Sequence, residues 1–146
     1  MTKFESAELI LKLYDLRREE KMRAAREWFL TFSPNSAQEI MGAMVNPETS
    51  GKVRMVISYW DMASTLVNHG AIDEAMFSET SGEQVMVFSK IEKYLPELRE
   101  MFDNPNFLLN LEKLIMKMPN AAEVLESRRQ MIARMLQARS GMAANS

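Results

Sequence analysis

The most informative segment of the sequence runs from Lys52 to His69 and reads KVRMVISYWDMASTLVNH. Its apolar residues fall into two stripes at helical spacing, and together the stripes cover most of a cylinder. The first stripe comprises Val53, Val56, Ile57, Trp60, Ala63 and Val67, and the second comprises Met55, Tyr59, Met62 and Leu66. A helix that is apolar on nearly all sides belongs inside a bundle. We therefore predict that residues 52–69 form the central, buried helix of the fold.

The segments on both sides of this helix also repeat their apolar residues with a period near 3.6. Ser36 and Asp73 are placed to cap the helices that follow them, and Gly70 is placed to end the central helix. The expected helices span about 6–32 with a bend or junction near 17, 37–44, 49–69, 73–78, 83–102 with a kink at Pro96, 105–118 and 120–139. The predicted fold is an all-α, compact bundle of six to eight helices.

Length and composition agree with one globular domain. The chain has 146 residues, of which 47% are hydrophobic and 26% are charged, and a chain of this size buries enough surface for a core of its own. We predict a single helical domain over residues 1–139 and expect residues 140–146 to fray.

The residue types present exclude several classes of enzyme. A chain with one histidine and no cysteine has no thiolate site, no HExxH zinc site and no di-iron site built on two Glu-x-x-His motifs. Glycine-rich phosphate loops and the GxSxG elbow are also missing. His69 lies near Asp73, a carboxylate that a catalytic base would need, but a histidine that caps the end of a helix is the simpler interpretation. We therefore predict a protein that is not an enzyme and that uses no cofactor and no metal.

One candidate site for a small ligand follows from the central helix. Tyr59 and Trp60 each carry a polar group on a large apolar ring, which suits a pocket wall. The residues assigned to this candidate pocket are Met55, Tyr59, Trp60, Asp61 and Met62. The alternative interpretation is that the two rings belong to the core.

Asp61 needs a partner if it is buried on an otherwise apolar helix. The candidates for a structural ion pair with Asp61 are Arg17, Arg18 and Arg54. We expect a structural clasp in preference to a catalytic carboxylate.

Charge is distributed unevenly, although the net charge is only −2. Residues 70–110 hold eight acidic and three basic residues, whereas residues 111–146 hold six basic and three acidic residues. These regions could attract each other within one chain or between two copies that form a homodimer. We do not expect nucleic acid as a partner, because the chain as a whole is not basic and its last arginines point in several directions on one helix. These arginines are Arg128, Arg129, Arg134 and Arg139.

Methionine is abundant, with 14 residues in the chain. Flexible methionine side chains suit adaptable binding of protein partners, and they also fill gaps in helical cores. The positions that could form an exposed methionine face are Met41, Met44, Met131 and Met135.

The longest apolar runs are far shorter than the ~20 residues that a membrane helix needs, so we expect a cytoplasmic protein with no membrane partner.

Several short motifs carry a family resemblance. They are Leu13-Tyr14-Asp15-Leu16, the run from Ala24 to Phe29, Ile57-Ser58-Tyr59-Trp60-Asp61, Gly70-Ala71-Ile72-Asp73 and Asn104-Pro105-Asn106-Phe107. In this order, over about residues 9–115, the chain resembles small helical bacterial proteins catalogued only as a domain of unknown function. The resemblance implies an all-helical fold and a bacterial origin, and it implies no activity and no site residue.

The function predicted from these observations is that of a protein-interaction or scaffold module without enzymatic activity, whose partner is another protein or a second copy of itself. The alternative is a small-ligand sensor with an apolar pocket near Tyr59 and Trp60.

Overall fold

A computed structural model describes residues 2–145, and over that range the secondary structure is helical without strands. The helices are α1 (Lys3–Arg18), α2 (Glu20–Thr31), α3 (Ala37–Val45), α4 (Ser50–Asn68), α5 (Glu74–Thr80), α6 (Glu83–Ile91), α7 (Leu95–Met101), α8 (Leu109–Met116) and α9 (Ala121–Ala144), with a 3₁₀ turn at Glu92–Tyr94 between α6 and α7. The predicted all-α bundle is confirmed.

Helix α4 is the central element, as the sequence predicted. It contacts α2, α3, α5, α6 and α8, and the ring of Trp60 at its middle is 0% exposed. The first apolar stripe is buried along its whole length. Of the second stripe, Tyr59 is buried and Leu66 is half-buried, whereas Met55 and Met62 face solvent. The helix therefore keeps one exposed strip, so it is not enclosed on all sides.

Several helix ends that local sequence patterns predicted are present in the structure. The Ser36 side chain accepts the backbone N–H of Glu39, and the Asp73 side chain accepts that of Met76. Gly70 has φ +80° immediately after α4, a conformation that glycine adopts without steric cost. The predicted junction near residue 17 is the boundary between α1 and α2, where Glu19 leaves the helical conformation and caps α2.

Two boundaries differ from the sequence prediction. The interruption expected at Pro96 comes earlier, at the 3₁₀ turn, because Pro96 lies in the first turn of α7, where its missing N–H has no cost. Helix α8 begins at Leu109 and not at Pro105. The Asn104 side chain accepts the backbone N–H of Asn106 and stabilises a turn there.

Helix α9 is divided into an anchored half and a projecting half. The anchored half packs mainly against α6 and also against α8, and its last buried residue is Ile132. From Ala133 to Asn145 the residues are exposed, except for half-buried Leu136. The helix continues to Ala144, beyond the end expected at Arg139 and into the segment expected to fray. No helix within residues 2–145 is long and apolar enough to cross a membrane.

Candidate functional site

Trp60 is the centre of a polar cluster that the sequence only partly predicted. Its indole Nε1 donates to Glu83 Oε2 at 2.9 Å. The same carboxylate pairs with Arg26, whose Nε lies 2.9 Å from Oε2. The guanidinium of Arg17 lies 5.6 Å from the centre of the Trp60 ring, within the range of a cation–π contact. We call Trp60, Glu83, Arg26 and Arg17 the Trp60 clasp.

The clasp fixes the junction between α1 and α2 on the rest of the bundle. Arg26 donates to the backbone oxygen of Arg17, and Arg17 donates to Ser81 Oγ between α5 and α6. The hydroxyl of Tyr59 donates to the backbone oxygen of Leu13 on α1, and burial raises the pKa of that hydroxyl. Each of the four side chains of the clasp bonds to, or packs against, another part of the chain, so the clasp joins α1, α2, α4 and α6.

Asp61 finds a different partner from the arginine expected from sequence. Its Oδ1 accepts the backbone N–H of Leu111 at 2.9 Å, in the first turn of α8. Residue Leu108 at the N-cap of α8 supplies no side-chain hydrogen bond of its own, so Asp61 on α4 satisfies an N–H group that a cap residue normally satisfies. Asn68, further along α4, donates to the backbone oxygen of Asn110 on α8.

The arginines proposed as partners of Asp61 contact other groups. Arg17 belongs to the Trp60 clasp, and Arg18 lies over the ring of Tyr14 at 5.2 Å. Arg54 donates to the backbone oxygen of Met44 near the end of α3, where a cation is favourable. The ion pair expected for Asp61 is therefore replaced by a hydrogen bond to the backbone.

The five residues of the predicted ligand pocket do not line one cavity. The rings of Tyr59 and Trp60 meet edge to face, with centroids 4.8 Å apart, inside the bundle. Met55 and Met62 are 36% and 43% exposed, and they lie on the side of α4 away from Trp60. Asp61 is committed to α8, as described above.

Lys90 is a buried cation that the sequence analysis missed. It is 9% exposed, and its Nζ donates to the backbone oxygens of Phe29, Leu30 and Phe32 at 2.9, 2.8 and 2.6 Å. These carbonyls end helix α2, so Lys90 caps the negative end of that helix. Burial lowers the pKa of the amine to about 8. The apolar residues around it in α6 were the only signal that it would be buried.

A groove of about 280 Å³ lies next to Lys90, between the α2–α3 connection, the 3₁₀ turn and α9. Tyr94, Ile132 and Leu136 supply apolar surface, and Lys93 and Arg129 lie along the groove with Lys90. Arg129 donates to the backbone oxygen of Ser89, and its guanidinium pairs with Glu92 and Glu126. Lys90 is thus engaged with the end of α2, and Arg129 anchors α9 to α6. Lys93 forms only a long, exposed pair with Glu126, at 3.8 Å.

The projecting half of α9 presents a different surface. Met131, Met135 and Met142 are 38%, 43% and 74% exposed, and with Ala138 they are spaced alternately four and three residues apart. This spacing places them in one line on a helix, as in the seam of a coiled coil. Arg128, Arg134 and Arg139 flank the line. We call these seven residues the α9 face.

The α9 face is basic because no acidic residue follows Glu126 in the sequence. Arg128, Arg134 and Arg139 take part in none of the ion pairs formed within residues 2–145. Of the methionines predicted to form a binding face, Met131 and Met135 are exposed, whereas Met44 is buried and Met41 is half-buried on α3. Part of the opposed charge is satisfied within the chain, by the Lys117–Glu74 and Arg129–Glu92 pairs.

In the described part of the chain, no group of three or more histidine and acidic side chains is arranged to hold a metal ion. In comparison with known proteins, a family model described as a domain of unknown function (DUF4760) matches residues 3–118. No curated protein and no solved structure matches the chain. The matched region ends before α9 begins.

Proposed function

The chain belongs to the family described as domain of unknown function DUF4760, and we propose that it is a protein-interaction module without enzymatic activity that binds its partner through the α9 face. The observation that carries this proposal is the line of exposed methionines on the projecting half of α9, flanked by three arginines without an ion pair in residues 2–145. The face lies outside the matched family region, which is residues 3–118.

The chemistry of the α9 face suits binding of a protein. Methionine side chains adapt to differently shaped partners because they are unbranched and flexible. Methionine and arginine are both enriched in protein interfaces. Contiguous exposed apolar side chains rimmed by polar residues mark interaction surfaces on soluble proteins. All three features occur together on α9.

The length of the projecting helix supports the same proposal. Isolated helices of this size are marginal in water, because helix nucleation is unfavourable and few contacts compensate it. Between Ala133 and Asn145 only Leu136 is partly covered by the bundle. A partner that packs against the methionine line would supply the tertiary contacts that the bundle does not provide.

The test compares two methionines of equal exposure. Met135 on α9 and Met62 on α4 are both 43% exposed. We therefore expect glutamate at either position to change the stability of the folded chain by a similar amount. We expect Met135→Glu to abolish recovery of proteins that are crosslinked to the wild-type chain in its native cells and identified by mass spectrometry. Met62→Glu should leave that set unchanged. If the wild type and both variants recovered the same set of crosslinked proteins, the α9 face would be ruled out as the binding surface.

A second candidate function is binding of a small ligand. The ring pair that suggested it, Tyr59 and Trp60, is packed within the bundle, and the groove beside Lys90 offers a more accessible place. Its apolar wall and the exposed amine of Lys93 would suit a small apolar acid. A screen of such acids by thermal shift tests this candidate. A hit should be lost in Leu136→Glu and kept in Met62→Glu.

We also propose that the protein works in the cytoplasm of a bacterium. The complete lack of cysteine supports a reducing compartment, and the family resemblance supports a bacterial source. Fractionation of cells that produce the untagged chain tests the location, and recovery with the membrane or secreted fraction would contradict it.

A further inference from the structure

We propose that the partner of the α9 face is helix α1 of a second copy of this chain. This inference rests on the proposed function, because it identifies the occupant of the same surface. It is carried by an exposed face on α1 that matches the α9 face in spacing and complements it in charge.

Helix α1 lies at the edge of the bundle and exposes large apolar side chains. Phe4 and Leu11 are 75% and 63% exposed, and they are seven residues apart on one line of the helix. Glu8 and Asp15 are exposed and lie within about 60° of that line when each residue turns the helix by 100°. The buried side of α1, marked by Ser6 and Leu13, is directed the opposite way. We call Phe4, Glu8, Leu11 and Asp15 the α1 face.

The apolar residues of the two faces have the same spacing. Phe4 and Leu11 are separated by seven residues, and so are Met135 and Met142. Seven residues rise about 10.5 Å along a helix. Two packed helices can therefore place both apolar pairs in contact at once.

The charges select the antiparallel arrangement. With Phe4 opposite Met142 and Leu11 opposite Met135, Glu8 lies within one residue of Arg139, and Asp15 lies within one helical turn of Arg128. In an antiparallel helix pair, each flank of one helix faces the equivalent flank of the other. Glu8 and Asp15 lie on one flank of α1, and Arg128 and Arg139 lie on the equivalent flank of α9. In the parallel arrangement Glu8 and Arg139 lie at the same height but on opposite sides of the helix pair, and Asp15 lies beyond the end of α9.

A two-fold axis would form this contact twice. The α9 face of each copy would bind the α1 face of the other, which gives a closed dimer with two identical helix pairs. Within one copy α1 packs against α2 and α5, and α9 packs against α6 and α8. The two faces therefore lie on different edges of the bundle, and both point outward.

The experiment is sedimentation equilibrium of the full-length chain from micromolar to millimolar concentration, with variants that test the register. We expect a dimer whose dissociation constant rises with salt. Glu8→Arg or Arg139→Glu alone should raise that constant about tenfold or more, because each creates two like-charge contacts per dimer. The combined variant Glu8→Arg with Arg139→Glu should recover most of the lost affinity. Met135→Glu should give monomers, and Met62→Glu should behave as wild type.

Three outcomes would overturn the inference. They are a monomer at every concentration, a dimer insensitive to Met135→Glu and Glu8→Arg, and single charge reversals that are not rescued by their combination. Binding of a monomeric chain to vesicles that contain phosphatidylserine would also overturn it. The proposed function would survive these results if Met135→Glu still removed a different crosslinked protein in cells, so the two failures are distinguishable.

Discussion

Asp61 on α4 accepts the backbone N–H of Leu111 at 2.9 Å and so supplies to α8 the cap that its own N-cap residue, Leu108, does not provide. Leu108 is in the left-handed conformation, with φ 55°, and its apolar side chain is buried. The start of α8 is therefore determined by its contact with α4.

We predict that Asp61→Ala lowers the free energy of unfolding by about 1–2 kcal/mol, because it leaves an N–H group of α8 without its acceptor. Asp61→Asn keeps an oxygen acceptor and should cost less. Urea unfolding followed by circular dichroism measures both. Glu79→Ala, an exposed acid on α5, is the control and should change stability little. Equal losses for alanine and asparagine would contradict the capping role.

Trp60→Ala should lower the free energy of unfolding by about 3–5 kcal/mol, because the ring is fully buried at the centre of the bundle. Trp60→Phe retains most of the apolar volume but loses part of the ring and the hydrogen bond to Glu83, so we expect a smaller loss of about 1–2 kcal/mol. Trp28, which is half-buried, offers a comparison: Trp28→Ala should cost less than Trp60→Ala. A loss below about 1 kcal/mol for Trp60→Ala would mean that the ring is not part of the core.

Lys90 makes stability depend on pH in a direction set by its lowered pKa. The folded pKa is about 8, against 10.5 for an ordinary lysine, so between these values the unfolded state holds more protons than the folded state. The free energy of unfolding therefore rises as pH increases from about 8 to 9.5. Above that range ionisation of unfolded tyrosine acts in the opposite sense, because the pKa of Tyr59 is raised in the fold.

Urea unfolding at several pH values between 7.5 and 9.5 measures this slope. Lys90→Met should remove it, although the variant is also less stable at all pH values because three backbone oxygens lose their donor. Lys113→Met, at an exposed position on α8, should keep the wild-type slope. The same slope in Lys90→Met as in wild type would assign the effect to another group.

The sequence predicted those features that depend on neighbours along the chain. The caps at Ser36 and Asp73 and the end of α4 at Gly70 are formed by residues within a few positions of each other, and the burial of α4 follows from its apolar periodicity. Distant polar contacts left no such signal. The backbone group that Asp61 binds is 50 residues away, and every residue type except proline carries an N–H group, so no side chain near Leu111 could identify it.

The burial of Lys90 also depends on residues that are distant in the sequence. A lysine on an amphipathic helix is normally solvated, and only the end of α2, 58 to 61 residues earlier in the chain, supplies the three carbonyls that allow burial.

The α9 face was predicted only in part. Its methionines were visible as a candidate surface, but the point at which α9 leaves the bundle depends on where α6 ends, which periodicity does not give.

Deletion of residues 138–146 separates the role of the projecting helix from that of the bundle. These residues include Arg139 and Met142 of the α9 face, whereas Ile132 and Leu136, the last residues that contact the bundle, remain. We expect the free energy of unfolding to change by less than about 0.5 kcal/mol, because the side chains of residues 138–145 are exposed. Self-association measured by sedimentation should be abolished, since half of the methionine line and the partner of Glu8 are gone. A large loss of stability in the monomer would instead show that the end of α9 supports the fold, and unchanged association would place the interface elsewhere.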